Sequence, residues 1–256
     1  MALPQILVLF VASILGGILN AVAGGGSFFT FPSLIVTGVS AIQANATSTV
    51  ALWPGTIASV GAYRRELKKQ KRGLLLLLVG ISLIGGVLGA ILLLRTSQAV
   101  FVLLIPYLLL LATLLFAFSG PVTARLRTRS INKTRLSWRS FIGLAVAQFI
   151  ISIYGGYFGG GIGILMLATL AMMGLDNIHE MNALKTLLAS CINGIAVVTF
   201  IIAGAVVWFQ AILMIFGAIL GGYGGAYYAR KIDPRWVRLF VIVVGIVLTI
   251  YFFLRR

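Results

Sequence analysis

The chain has 256 residues, of which 61% are hydrophobic and only 9% are charged, and its mean hydropathy is +1.12. Soluble domains carry roughly 25% charged residues, so the composition excludes a soluble protein, and the long continuous apolar runs exclude the alternating strands of a β-barrel. The net charge of +16 does not indicate nucleic-acid binding, because most basic residues lie in short loops between apolar segments, where the positive-inside rule places them.

The apolar runs predict an all-α integral membrane protein with about eight transmembrane helices and two short glycine-led segments, which either cross the membrane or re-enter it. In chain order, the helices cover about 4–22, 41–63, 73–94, 98–118, 139–158, 178–203, 207–228 and 236–254. The glycine-led segments cover about 23–38 and 159–174. The first helix ends in Ala-Val-Ala like a signal peptide. We expect it to be retained, because no basic residue precedes it and a similar segment recurs deep in the chain.

Three clusters of basic residues indicate the orientation in the membrane. They lie in 64–72, 125–139 and 230–238. All three fall on one side if each glycine-led segment returns the chain to the face that its preceding helix left. That side is cytoplasmic by the positive-inside rule, so both termini are expected outside. The basic loops would also meet anionic lipid headgroups of the cell membrane.

The two halves of the chain match each other at an offset of about 136 residues. The matched sets are Gly24–Gly26 with Gly159–Gly161, then Asn45, Ala46 and Thr49 with Asn182, Ala183 and Thr186, and then IGGVLGA (84–90) with LGGYGGA (220–226). The basic loop joins the second and third helices in the first half, but the third and fourth in the second half. This predicts two inverted repeats, 1–118 and 139–256, joined by a basic cytoplasmic linker, 119–138.

Lys185 is the only charged residue in an apolar stretch of its helix, 181–204. A charge inside the bilayer costs at least a few kcal/mol, so such a side chain normally faces a polar cavity, where it would attract an anion. At about 100° per residue, it shares a helix face with Asn182, Thr186, Ser190 and Asn193. The matching face of the helix at 41–63 carries Asn45, Ser48, Thr49, Trp53, Thr56 and Ser59. These faces predict a site between the halves; the alternative is that their polar groups only bond neighbouring helices.

The glycine triplets predict a second set of ligands. Gly24, Gly25 and Gly26, and likewise Gly159, Gly160 and Gly161, permit an unwound backbone just before a helix start. Free N–H groups and the positive end of the helix dipole would then point at an anion. The alternative is close helix packing, which we expect of Gly85, Gly86, Gly221 and Gly222. Asn20 could cap a helix or contact the ligand.

The loop GLDNIHE, 174–180, has two interpretations. Asn177 and Glu180 are spaced as a capping box for the helix that follows. The alternative is proton coupling through His179 or Glu180, because histidine titrates near neutral pH. One histidine, one cysteine and four acids form no metal-ligand cluster and no nucleophile–base pair, so neither a cofactor nor an enzyme is expected.

The stretch GGILNAVAGGGSFFTFPSLIVTGVSAIQANATSTVALWPG and its echo GGYFGGGIGILMLATLAMMGLDNIHEMNALKTLLASCINGIAVV resemble the sulfite exporter TauE/SafE family, also called toluene sulfonate uptake permeases. The resemblance implies a multi-pass permease for sulfur-containing anions such as sulfite, sulfonates or thiosulfate, coupled to protons. It points to the residues Gly24–Gly26, Asn45, Thr49, Gly159–Gly161, Asn182 and Thr186. We therefore expect a secondary-active transporter of small sulfur-containing anions (sulfite, sulfonate, thiosulfate or sulfoacetate-like) that works by alternating access. The alternatives are a permease for a non-sulfur organic anion and a non-transporting membrane scaffold.

Overall fold

A computed structural model describes residues 2–22, 25–129, 138–172, 177–228 and 234–254. Within these ranges all regular secondary structure is helical, as predicted. The helices are α1 (Leu3–Val22), α2 (Ser27–Val36), α3 (Ala41–Ala62), α4 (Arg64–Lys68), α5 (Arg72–Arg95), α6 (Gln98–Arg129), α7 (Trp138–Tyr157), α8 (Ile162–Met172), α9 (Ile178–Ile202), α10 (Trp208–Tyr228) and α11 (Pro234–Leu254).

Most helices begin and end within a few residues of the predicted bounds. Two features differ. The basic loop after α3 contains a short helix, α4, and α6 continues to Arg129, into the segment predicted as a linker. Residues 130–137 of that linker lie outside the described residues, as does Gly24 of the first triplet.

Four helices in the described part of the chain are long and apolar enough to cross a membrane, namely α1, α5, α6 and α9. Shorter apolar stretches occur in α2, α7, α8, α10 and α11. The protein is therefore a multi-pass membrane protein, while the count of eight spans stays a prediction. The helices α2 and α8 have only 10 and 11 residues. At 1.5 Å per residue, each reaches about half of the 30 Å hydrocarbon layer.

Helices of one half pack mainly on helices of the other half. The main pairs are α1 with α10 and α5 with α7, then α3 with α10 and α9 with α5. The helices α3 and α9 contact each other, and so do α6 and α11. When α1, α2, α3, α5 and α6 are matched in order with α7 to α11, every one of these pairs maps onto another pair or onto itself. Two halves related by a two-fold axis would give this pattern; their inversion across the membrane remains a prediction.

Small residues bring these helices into close contact. A Cβ atom on Gly89 of α5 would lie 2.8 Å from the backbone nitrogen of Tyr157 in α7, and one on Gly86 would lie 3.2 Å from the Cα atom of Ile192 in α9. Gly221 of α10 similarly lies against the backbone of Ile14 in α1. In lipid, where helices gain little from hydrophobic burial, such close approach supplies the packing energy. The packing role expected of Gly85, Gly86 and Gly221 is confirmed, and Gly222 makes an ordinary contact.

A buried aromatic cluster fills the end of the bundle remote from α4. The Phe31 ring of α2 lies 6.4 Å from the Phe101 ring, 5.8 Å from the Phe158 ring and 6.5 Å from the Phe252 ring, measured between centroids. Phe101 lies in the first turn of α6, just beyond the 24-residue α5 that starts next to α4. The cluster therefore lies about one membrane crossing away from α4 and joins α2, α6 and α11 there.

We predict that Gly89→Ala destabilises the protein by about 1–3 kcal/mol, because the added methyl group would overlap the α7 backbone. Thermal unfolding of the purified protein in detergent measures the effect. The matched control is Gly80→Ala in the same helix, where nothing lies within 4 Å of the added Cβ. The control should unfold at the wild-type temperature or slightly above it. Equal unfolding temperatures for Gly89→Ala and wild type would contradict the close packing.

Candidate functional site

A cavity of about 230 Å³ lies between the two halves of the chain. Its walls are the starts of α2 and α8, one face of α3, one face of α9 and the end of α1. Most of the sequence-predicted ligand residues line it: Lys185, Asn182, Thr186, Asn193, Ser48, Thr49, Asn20, Gly25, Gly26, Gly159 and Gly161. The other lining residues are Ser27, Leu52, Thr56, Ser59, Tyr63, Phe158, Ile162, Gly163 and Ala189.

The helices α3 and α9 run antiparallel and are fixed to each other by two hydrogen bonds. The indole N–H of Trp53 donates to the backbone oxygen of Ser190 at 3.1 Å. Near the other end of α3, the Thr47 hydroxyl accepts from the backbone N–H of Val207, just after α9, at 3.1 Å. Gly194 leaves room for the indole, since a Cβ there would lie 2.9 Å from the Trp53 ring. Two residues of the predicted polar faces, Trp53 and Ser190, thus join the helices.

The second glycine triplet forms an unwound turn between α7 and α8. Gly159 and Gly161 have φ values of 79° and 75°, which glycine adopts at no steric cost. The Tyr154 hydroxyl donates to the backbone oxygen of Gly160 at 2.8 Å, and the Asn45 amide donates to the backbone oxygen of Tyr157 at 3.0 Å. Asn45 and Gly160 do not line the cavity. Gly160 is part of the turn, and Asn45 and Tyr154 fix that turn through these two hydrogen bonds.

The first glycine segment is held by hydroxyl groups. Thr30 of α2 donates to the backbone oxygen of Gly26 at 3.2 Å. The Thr30 and Ser48 hydroxyls also share a hydrogen bond of 2.6 Å, which ties α2 to α3. Ser48 therefore has a protein partner as well as a place in the cavity wall. Gly25 and Gly26 line the cavity.

Both helix starts present free backbone donors. Among the described residues, the N–H groups of Gly26, Ser27, Ile162 and Gly163 have no protein acceptor. Such groups at the first turn of a helix, together with the helix dipole, favour a negative charge in front of them. The starts of α2 and α8 therefore give the cavity two positively polarised edges.

Lys185 of α9 is half-buried and lines the cavity. Its stem passes over Gly163, where a Cβ atom would lie 3.3 Å from the lysine Cδ. Among the described residues, the Lys185 ammonium has no acidic partner and no hydrogen-bond acceptor, and none of the described residues that line the cavity is acidic. The cavity therefore carries a positive charge that the described protein does not neutralise.

His179 and Glu180 lie outside the cavity wall, at the start of α9. The Asn177 side chain accepts from the backbone N–H of His179 at 2.9 Å, so its predicted capping role is confirmed. The Glu180 carboxylate accepts from the Gln70 amide at 2.8 Å and from the Asn177 amide at 3.4 Å. Glu180 thus ties α9 to the segment that follows α4; its role in proton coupling stays a prediction.

Seven lining residues were not named as site residues or on the predicted polar faces: Ser27, Leu52, Tyr63, Phe158, Ile162, Gly163 and Ala189. Tyr63 directly follows α3, four residues beyond Ser59, so the polar periodicity of α3 could have found it. Gly163 could not have been found from the repeat, because the glycine triplets align it with Phe28, a large side chain. Its role depends on Lys185, which has Ser48 as its repeat partner.

Comparisons with known proteins agree over nearly the whole chain. The family model described as "Sulfite exporter TauE/SafE" matches residues 9–252. A probable membrane transporter protein of Haemophilus influenzae is 28% identical over 94% of this chain and 92% of its own length. A probable membrane transporter protein of Sinorhizobium, ORF9, is 28% identical over 94% and 90%, and YfcA of Escherichia coli K12, of the same description, is 27% identical over 94% and 87%.

No solved structure matches the chain. The helices that are long and apolar enough to cross a membrane, the polar cavity between the two halves and the family match over residues 9–252 lead to one assignment. The chain belongs to the sulfite exporter TauE/SafE family and is a multi-pass membrane transporter.

Proposed function

We propose that the protein is a secondary-active transporter that carries small sulfur-containing anions through this cavity by alternating access. The observation that carries the proposal is the position of Lys185, which faces a polar cavity and has no acidic partner among the described residues. Uncompensated charge inside a membrane protein is costly and marks ion or substrate pathways. The family's description as a sulfite exporter supports a sulfur oxyanion as the cargo.

In this proposal, three kinds of group hold the anion. The Lys185 ammonium supplies the charge, and the free N–H groups at the starts of α2 and α8 donate hydrogen bonds. The amides of Asn182 and Asn193 on α9 orient the ligand. Helix starts that point at anionic groups near the membrane midplane are a recurring arrangement in transporters built from inverted repeats. Such contacts are stronger in a low-dielectric surrounding than in water.

Alternating access would come from the rocking of one inverted repeat against the other. The wall formed by α3 and the residue that follows it runs from Ser48 to Tyr63, so the cavity extends towards α4 and its basic loop. At the opposite end, the aromatic cluster around Phe31 is fully packed. With the basic loops in the cytoplasm and both termini outside, this form would be the inward-facing one. In the other form, the α4 end would close and the aromatic end would open.

Proton coupling is part of the proposal, with His179 and Glu180 as its candidates. Protonation of Glu180 would weaken its hydrogen bond with Gln70, which connects α9 to the segment after α4. The proton would therefore act on the mouth of the cavity and not on the ligand. Coupling would then change how readily the α4 end opens.

We predict that Lys185→Met lowers anion uptake about 10- to 100-fold, because a hydrogen bond to a charged group contributes about 1.5–3 kcal/mol. Uptake of labelled sulfite, thiosulfate and sulfonates into proteoliposomes measures the effect. The same substitution removes a charge from the membrane interior, so its thermal stability should equal or exceed that of wild type. Lys185→Arg should keep part of the activity.

The matched control for that experiment is Arg95→Gln, which removes an exposed charge at the end of α5 and should leave uptake unchanged. Full uptake by Lys185→Met would show that the ammonium has no part in transport. Carboxylates transported in preference to every sulfur anion would favour a permease for non-sulfur organic anions. Absence of any flux by wild type would favour a membrane scaffold.

We predict that Gly163→Val raises the KM for anion uptake several-fold, because the added side chain would push the Lys185 stem away from its place. Overpacking of this kind costs about 1–3 kcal/mol. The measurement is uptake over a range of anion concentrations. Gly143→Val in α7 is the control, since nothing lies within 4 Å of a Cβ at Gly143. An unchanged KM for Gly163→Val would show that Gly163 does not determine where the Lys185 side chain lies.

We predict that Glu180→Gln removes the stimulation of uptake by a proton gradient while uptake driven by the anion gradient alone continues. The glutamine has nearly the same shape but cannot take up a proton. Proteoliposomes with and without an imposed pH difference give the comparison. Glu66→Gln on α4, outside the cavity wall, is the matched control. Gradient stimulation that persists in Glu180→Gln would exclude this carboxylate as the coupling group.

A further inference from the structure

The formal charge in the described part of the cavity wall is positive, and it comes from one residue. Lys185 is the only charged residue among the described residues that line it. The two acids in the described part of the chain lie elsewhere: Glu66 is on α4, and Glu180 is held by Gln70 and Asn177. A ligand that carries its own ammonium group would therefore find no carboxylate in this wall. It would give up its hydration without a counter-charge, and burial of an unpaired charge is strongly unfavourable.

The hydroxyl groups of α3 are oriented towards their own helix. Thr49 donates to the backbone oxygen of Asn45 at 2.8 Å, and Thr56 donates to that of Trp53 at 2.6 Å. Ser59 donates to the backbone oxygen of Gly55 at 2.9 Å. Each hydroxyl has one proton and two lone pairs. With the proton used inside the helix, each presents a lone pair, so this wall of the cavity accepts hydrogen bonds and has no donor left from these groups.

The volume leaves room for more than an oxyanion. A cavity of about 230 Å³ holds on the order of ten water molecules at about 30 Å³ each. An inorganic oxyanion with four or five heavy atoms would fill only part of it. The remaining space reaches along α3 past Thr56 and Ser59 to Tyr63, where the wall is rich in hydroxyl groups. A ligand tail in that space would meet acceptors without formal charge.

We infer that the cavity selects organic monoanions whose tail carries a hydroxyl group, and that it rejects zwitterions in which an ammonium group replaces that hydroxyl. One lysine balances one negative charge. The α3 hydroxyls accept the proton of the tail, and the same lysine repels a second cation. This inference rests on the proposed function, since it names the substrate class of the same site.

The test compares three small sulfonates that differ only at the tail: 2-hydroxyethanesulfonate, ethanesulfonate and 2-aminoethanesulfonate. Uptake into proteoliposomes that contain the wild-type protein is measured at pH 7, where the amine is protonated. We expect about tenfold or greater preference for the hydroxyl compound over the amine, because like charges repel across a partly desolvated cavity. Ethanesulfonate should fall between them, since it leaves the α3 acceptors without a donor.

The outcomes separate the inference from the proposed function. Transport of the amine within twofold of the hydroxyl compound would overturn the selectivity and leave anion transport standing. If sulfite is transported but 2-hydroxyethanesulfonate and ethanesulfonate are not, the claim that the cavity accepts an organic tail is wrong. Flux of none of these solutes would overturn both the proposed function and the inference.

A gain-of-function variant provides a second readout. Ser59→Asp would place a carboxylate on the tail-facing wall, and we expect it to raise uptake of 2-aminoethanesulfonate several-fold and to lower uptake of 2-hydroxyethanesulfonate. Ser59→Asn, of nearly equal shape and without charge, is the matched control and should leave the amine excluded. Equal uptake of the amine by both variants would show that the amine is not excluded for lack of a carboxylate in the cavity wall. Thermal unfolding of both variants in detergent checks that they are folded.

Discussion

A positive charge inside a membrane protein must be solvated by something, and in this protein the described residues supply no carboxylate to do it. Lys185 therefore needs a water-filled space beside it. The structure provides that space through Gly163, which lets the lysine stem pass, and through the helix starts on either side. The rest of the cavity depends on this requirement, because a bundle that packed its helices fully at this point would bury the ammonium in an apolar surrounding.

The unwound backbone at membrane depth also needs hydrogen-bond partners, and side chains that do not line the cavity supply them. Backbone groups that leave a helix need other partners in the absence of water. Asn45 binds a carbonyl oxygen just before the second triplet, Tyr154 binds one within it, and Thr30 binds one at the first. The N–H groups, in contrast, are left open towards the cavity. The protein thus satisfies its acceptors and exposes its donors, which is the polarity that suits an anion.

The sequence predicted the helices well because apolar runs of membrane length leave few alternatives. It also predicted most residues of the cavity wall, since a polar face on an apolar helix has to point away from lipid. It could not separate ligand-facing groups from supporting groups: Asn45 and Asn182 are repeat partners, yet Asn45 supports a turn and Asn182 lines the cavity. That difference arises from contacts across 112 positions of the chain. The short helix α4 and the length of α6 depend on local helix propensity in polar segments, where hydropathy gives no signal.

Phe158 belongs to two environments at once. One part of its ring lines the cavity, and another lies edge-on against Phe31 of the aromatic cluster, at an interplanar angle of 89°. Phe158 therefore contributes both to the cavity wall and to the packed aromatic end of the bundle. An aromatic pair of this kind contributes only about 0.5–1.5 kcal/mol beyond its buried area. Alternating access, as proposed, would have to break this contact to open the far side of the bundle.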